Sequence, residues 1–552
     1  MAVSGRAGVD QPGSDQTSGA GYARKATGLV REISLIDMIA FSSAGVGGIA
    51  FALLVGLYYA FGSFPGGNLV LALIIALPLA GFVWTTFALV SSVFPRVGGD
   101  YVFGSRVLHP IFGLASNLGV FASTILALGA WLALIPTVIA GAPALAVVGT
   151  TTGDQWWLDA AATIQEHTWQ IIIGVVAAVL ISSLSAIRTR LITRVSAISL
   201  AISYVGFFVA FAIILFTSQD SFVSTLNDFS DPITGQRDTY NATIAAGAEA
   251  GVRYPDQDGY SFESTLAMVY TSIALMMFVW WGVYMSGEMK GAGQRRRQLT
   301  AILTAGYSQG ILALLATVVF IKTIGYDFFA SANAGNYEVP VAPFYNFFAS
   351  IVAGNDLVAI LLGLAFLGIL IPGMYINFAM CQRALFAYSF DGLLPRWVAS
   401  VNERTHTPVI AIVIVGLGGI ACAAYAVYAS SFLTILSVTA ALLFLPMFTT
   451  GLVGLVLPNR CPELFRGSPA DWQWHGIPVL RVSSAGCVAV SLLFISLLGW
   501  FHEQLGIKSP VVVPLLIVGS FLVGWIWYSI ARVVQRSRGV DLDLVYRTIP
   551  PD

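Results

Sequence analysis

Apolar runs long enough to cross a lipid bilayer recur along this chain, and no single motif constrains the fold as tightly. A helix needs about 20 mostly apolar residues to span the hydrocarbon layer. The sequence offers twelve such runs, at approximately 34–62, 68–94, 111–142, 168–187, 195–217, 265–287, 299–323, 356–389, 409–428, 431–457, 482–501 and 510–531. The shortest junction, Ala429-Ser430, separates the ninth from the tenth. Composition agrees, because only 10% of the 552 residues are charged where a soluble domain carries roughly 25%. So few charges cannot cover a water-facing surface. The expected fold is an all-α polytopic membrane protein with twelve transmembrane helices.

Charge placement tests that count. With the N-terminus in the cytoplasm and sides alternating, the outer loops hold only Arg237, Arg253, Lys322 and Lys508 of the 27 basic residues, which leaves 23 inside. Basic residues concentrate on the cytoplasmic side of membrane proteins, and one missed span would swap every later cluster. Both termini are therefore expected inside, with the chain in the plasma (inner) membrane. The organisation that follows is a polar tail at 1–33 without an apolar signal core, five spans at 34–217, and an acidic outer loop at 218–264. Five further spans at 265–457 precede a cytoplasmic loop with two last helices at 458–531 and a tail at 532–552. Val341–Ala353 is apolar but too short to span, and reads as either a re-entrant or surface helix or a half-buried loop.

Several functions are disfavoured by the same residues. A net charge of −1 offers no electrostatic footprint for nucleic acid. The cysteines at 381, 422, 461 and 487 form no CxxC pair, so neither a disulfide framework nor a metal site is expected, and no cofactor is implied. The five histidines lie in loops or at span ends without ligand spacing, and no nucleophile–base pair suggests an enzyme. A channel should carry a continuous polar stripe along several helices, which is missing.

Attention then falls on residues that weaken helices. Ser42-Ser43-Ala44-Gly45-Val46-Gly47-Gly48 divides the first run, and each glycine costs about 1 kcal/mol relative to Ala in a helix. Freed backbone groups are tolerated in a membrane only against protein or a polar cavity, where a half-helix N-terminus would face an anion. Close helix packing through small residues is the alternative. A second break is expected at Phe278-Val279-Trp280-Trp281-Gly282, although aromatic packing explains that run equally well. Pro372-Gly373 interrupts the eighth run. Breaks five spans apart are what an inverted five-helix repeat produces.

Three loop motifs strengthen this reading. Pro95-Arg96-Val97-Gly98-Gly99-Asp100-Tyr101 follows the second span, Gly287-Glu288-Met289-Lys290 follows the sixth, and Gln382-Arg383-Ala384 through Asp391-Gly392-Leu393-Leu394-Pro395, with Thr407-Pro408, follows the eighth. In order and spacing they resemble the amino acid–polyamine–organocation transporter superfamily. That resemblance implies the inverted-repeat fold first seen in a sodium-coupled leucine transporter, with repeats at 34–217 and 265–457 and two additional C-terminal helices. It also implies alternating access, with a substrate carboxylate at the amides of Ser43 to Gly48 and an ammonium at carbonyls around Phe278 to Trp281. Trp280 stands in register with the family's gating position. Ser42, Ala44 and Ala50 replace three family glycines, and Gly291-Ala292-Gly293 replaces the usual Asn-Pro, so the chain is a divergent branch.

No ionisable residue lies near the centre of any span. A dicationic substrate would want a buried carboxylate, whereas a zwitterion needs only helix ends and carbonyls. Neutral, apolar or aromatic amino acids are the expected substrates, with Trp131, Tyr204 and Tyr375 as pocket walls. An amine or organic-cation carrier is the alternative. For energy coupling, the resemblance places Ser199 where some relatives carry a lysine, and no Ser or Thr lies between Leu357 and Tyr388 to ligate sodium. A coupling proton would use Asp37, Glu288 or the substrate itself, and Glu288 with Lys290 reads as a salt bridge steadying an inner gate.

Overall fold

A computed structural model describes residues 31–45, 48–49, 60–255, 259–339, 341, 343–428 and 432–547. Residues 1–30 of the N-terminal tail, Val46, Gly47 and the Ala429-Ser430 junction lie outside them. Among the described residues eleven helices are long and apolar enough to cross a membrane, and they coincide with the second to twelfth expected spans. The first span is described only in part, as α1 (Leu35–Ala44) and a short helical stretch ending before Phe64.

Helix ends follow local chemistry. Ser34 and Asp37 close a capping box on α1. Asn68 accepts the Leu71 amide at the start of α2 (Leu69–Val93). After the short α3 (Asp100–Val107), Pro110 opens α4 (Pro110–Leu132), a first-turn position where its missing N–H costs nothing. Next come α5 (His167–Ile187) and α6 (Thr189–Leu215). The loop 218–264 is not irregular, since it folds as two short helices, Gln219–Thr234 and Thr239–Glu249. Ser261 caps α7 (Phe262–Met277), and α8 spans Arg295–Ile324. The short apolar piece is a helix, α9 (Tyr345–Ala353), buried against α6.

The eighth span divides differently from expectation. It breaks at Gly368-Ile369, between α10 (Asp356–Leu367) and α11 (Leu370–Phe390), and Pro372-Gly373 lies inside α11. Pro372 occupies the first turn, where no backbone donor is lost. Gly373 instead makes room for the Trp131 ring, which a methyl group there would overlap. The chain ends with α12 (Val409–Tyr428), α13 (Phe432–Arg460), α14 (Val479–Trp500), α15 (Val512–Ser537) and α16 (Leu542–Val545). The segment after 531 is therefore docked, with Leu542, Val545 and Tyr546 buried.

α4 lies at the middle of the bundle, packed on α11, α12, α13 and α15, while α2 packs on α7, α8 and α14. The exterior is as apolar as the core. Leu515, Val518, Leu522, Trp525, Ile526, Ile530 and Val533 of α15 are each at least half exposed. Their three-to-four-residue spacing makes one continuous face, which only lipid can cover at low cost.

Candidate substrate site at the helix breaks

The two expected breaks meet in space. α1 ends at Ala44, and a methyl group on Gly45 would overlap the Phe278 carbonyl. Three residues earlier, the Ser42 hydroxyl rests where a side chain at Gly282 would be. Small residues on both partners thus bring the two backbones into contact. Gly48 adopts φ +75°, and a Cβ there would lie 2.6 Å from Leu200 and 3.6 Å from Tyr204 on α6. Ser42, Ser43 and Ala44, expected within the first break, are still helical, and Val46 and Gly47 lie outside the described residues.

The second break is a change of helix type. α7 gives way at Phe278 to a 3₁₀ helix through Glu288. Tightening from α to 3₁₀ shifts each acceptor by one residue and frees a carbonyl at the junction. Trp84 of α2 takes up the Met276 carbonyl at 3.1 Å, and Gly306 of α8 leaves space for that indole. The sequence signal was faint because bulky residues adopt 3₁₀ geometry as readily as small ones.

Aromatic rings enclose the crossing. Trp280 is fully buried and stacks on Phe87, centroids 4.3 Å apart and planes at 17°. Trp281 stands edge-on to Phe278 at 4.7 Å. Tyr375 packs edge-on to Phe41 and shares a hydrogen bond with Thr193 of α6. The Tyr204 ring lies 3.6 Å from where a side chain on Gly48 would begin, and its hydroxyl is enclosed without a partner. Trp131 sits against Gly373, two residues from Tyr375. Phe278, Val279, Trp280, Trp281, Ser42, Ser43 and Ala44 are all buried, so the crossing is sealed from solvent.

The gate and coupling candidates lie apart from this crossing. Asp37 is engaged in the α1 cap, its carboxylate accepting the Ser34 amide and hydroxyl. Ser199 donates to the Gly368 carbonyl at 2.8 Å, at the α10–α11 break. Glu288 is not paired with Lys290, which is exposed. Its carboxylate instead takes Arg383 of α11 at 3.0 and 2.9 Å, both side chains buried. A buried carboxylate needs a partner that is itself enclosed, and Lys290 points to water. Backbone closes the same end, since Ile33 donates to the Glu288 carbonyl and accepts from Lys290, each at 3.0 Å.

Sequence reasoning missed two further clusters here. Arg106 of α3 pairs with Asp391 at 2.6 Å, and Tyr101 joins Asp391 to Tyr546 of the C-terminal segment. Asp100, also fully buried, has neutral hydrogen-bond donors: Tyr284 of the 3₁₀ stretch, and Asn117 at 2.9 Å and Ser116 at 2.8 Å on α4. Burial pushes the Asp100 carboxyl up to about 6, against the pull of those donors. The available signal was the Gly-Gly-Asp-Tyr motif itself.

A bundle of apolar spans enclosing an aromatic-lined crossing of two interrupted helices is the frame of a multi-pass carrier. The family model for amino acid permeases matches residues 33–528, and the chain belongs to that family, within the amino acid–polyamine–organocation superfamily. It is a membrane transporter rather than an enzyme. No curated protein matches the chain.

Proposed function

We propose that the protein carries neutral, apolar or aromatic amino acids across the plasma membrane by alternating access, with both termini in the cytoplasm and two inverted five-helix repeats. The observation that carries this reading is the meeting of the two breaks, Gly45 on the Phe278 carbonyl and Ser42 on Gly282. There, a helix end and the carbonyls of the 3₁₀ stretch would meet the two charges of a zwitterion. The surrounding Trp280, Trp281, Phe278 and Tyr375 suit an apolar side chain. A dication would need an enclosed carboxylate; the buried Glu288 and Asp391 are taken by arginines, and Asp100 is held by Tyr284, Asn117 and Ser116.

Counterflow in proteoliposomes tests this directly. Vesicles preloaded with unlabelled neutral amino acids should accumulate the labelled compound, with apolar and aromatic members competing best. Gly48→Leu should abolish that signal while leaving expression intact, because φ +75° and the nearby Leu200 both exclude a side chain. No accumulation of any amino acid by folded protein would transfer the reading to amines or organic cations. Repeating uptake under proton and sodium gradients assigns the coupling ion, for which Asp37, Ser199 and Glu288 remain the proposed candidates.

A further inference from the structure

The middle of α8 brings to the crossing a side chain that belongs to neither break. Gln309 is 3% exposed, and its Nε2 donates to the Ser43 carbonyl at 2.9 Å. That carbonyl lies in the last turn of α1. Because the partner is an acceptor, the amide nitrogen must face it, and Oε1 is turned elsewhere. Oε1 is enclosed and has no hydrogen-bond partner.

A buried amide oxygen without a donor is costly, and it is not alone. Ser42 Oγ, Trp280 Nε1 and Trp281 Nε1 are likewise enclosed and unpartnered. With Tyr204 Oη, also enclosed and unpartnered, five unmet polar atoms around the crossing sort by chemistry. The two indoles can only donate, which suits a carboxylate. Gln309 Oε1 can only accept, which suits an N–H group. The Ser42 and Tyr204 hydroxyls can do either, so Gln309 Oε1 is the acceptor-only atom among them, and its side chain comes from outside both broken helices.

We propose that Gln309 is a substrate-binding residue, with Nε2 fixing the end of α1 and Oε1 accepting a hydrogen bond from the ammonium of the transported amino acid. This rests on the amino acid reading above and deepens it. One side chain would then set the geometry of the break and select for the amine. Selection follows because a substrate lacking the N–H leaves Oε1 buried and unmet.

The test compares a neutral apolar amino acid with its des-amino carboxylic acid as competitors, in wild type, Gln309→Met and Gln309→Glu. Each competitor's apparent affinity is read by displacement of labelled amino acid in proteoliposomes. A hydrogen bond to a charged group is worth roughly 10- to 100-fold in affinity. Gln309→Met should therefore weaken the amino acid by about that factor while leaving the des-amino competitor within about twofold. Gln309→Glu keeps an acceptor and makes it anionic, so the preference for the amine should hold or rise. If both competitors weaken equally in both variants, Gln309 only props α1 and the proposal fails. Unchanged affinities in both variants overturn it as well. Should Gln309→Met not fold, the glutamate variant alone decides, since a loss of amine preference there contradicts an ammonium contact. Failure of wild type to bind any amino acid would instead refute the functional reading, and is distinguishable because no variant is needed to see it.

Discussion

The two ends of the bundle are closed by different physics. At the Glu288 end, Arg383–Glu288 and Arg106–Asp391 are buried ion pairs, Asp100 sits among neutral donors, and Tyr546 of the C-terminal segment completes the cluster. At the opposite end, Phe61 meets Tyr326 and Phe329 edge-on at 5.0 and 5.3 Å, and Phe64 meets Phe501 at 5.9 Å. Backbone joins there too, the Ser261 amide and the Tyr326 hydroxyl reaching the Gly66 and Gly67 carbonyls at 2.9 Å each. Polar closure demands that every enclosed group find its partner, so it specifies one geometry and fails sharply when a partner is lost. Ring packing is less directional and yields gradually. On the proposed alternating-access reading, the first closure would act as a charge-sensitive latch and the second as an apolar seal.

The largest effect should come from breaking the latch. Glu288→Gln leaves Arg383 buried without its counter-charge, a loss of about 3–5 kcal/mol, and thermal unfolding in detergent should show it. The double change Glu288→Met with Arg383→Met should restore most of that loss, because apolar replacement of both partners is often neutral. A double variant as damaged as the single one would show that packing around the pair, not the pair, holds this end.

Acidity should separate the ends next. Burial pushes the Asp100 carboxyl up to about 6, above the ordinary 3.8. Closure therefore binds the proton more tightly than an opened, hydrated state does. The Glu288 end should tighten as pH falls through 6, with the gain complete near 4 and totalling at most about 3 kcal/mol. Above pH 6 the unpaired carboxylate favours opening. Cysteine-labelling rates at the Glu288 end should fall with acid and become pH-independent in Asp100→Asn. The Phe61 end should show no such slope, and a parallel slope there would mean the ends are not independent.

Steric change should open the other end by a smaller amount. A methyl on Gly62 would overlap the Asn333 carbonyl, and overpacking of this kind costs roughly 1–3 kcal/mol. Gly62→Ala should raise labelling near Phe329 without altering the pH profile at the Glu288 end. If the pH profile shifts instead, the two closures are mechanically linked.

Much of this architecture was legible in sequence, for a reason peculiar to membranes. Lipid imposes a length of about 20 apolar residues on every span, so the eleven spans that the described residues show could be located before any fold was known. Gly45 and Gly48 pointed to the first break, although close packing through small residues was the other reading of them. The second break was half hidden, since the sequence Phe278–Gly282 does not distinguish a 3₁₀ turn from packed aromatics. Pro372 misled because a proline in the first turn of a helix interrupts nothing. Side-chain partnerships were the least legible. Glu288 and Lys290 are neighbours in the chain, yet the extended backbone at Met289 (φ −85°, ψ 132°) leads Lys290 to the surface, and the true partner lies 95 residues away. Gln309 carried a signal that was passed over, a long amide in the middle of an apolar span, but only its contact with Ser43 gives that signal meaning.

The smallest predicted effect probes the apolar seal itself. Phe329→Leu keeps most of the buried volume beside Phe61 but removes the edge-to-face geometry, which is worth about 0.5–1.5 kcal/mol beyond area burial. The ring is 6% exposed, so the variant loses contact geometry rather than solvent shielding. Labelling at the Phe61 end should then rise by about three- to tenfold, the population ratio expected for roughly 1 kcal/mol, with thermal stability nearly unchanged. Faster substrate exchange is expected in counterflow if opening of this end limits the cycle. An unchanged exchange rate alongside increased labelling would place the slow step at the Glu288 end, where ion pairs must part before the site can reach water.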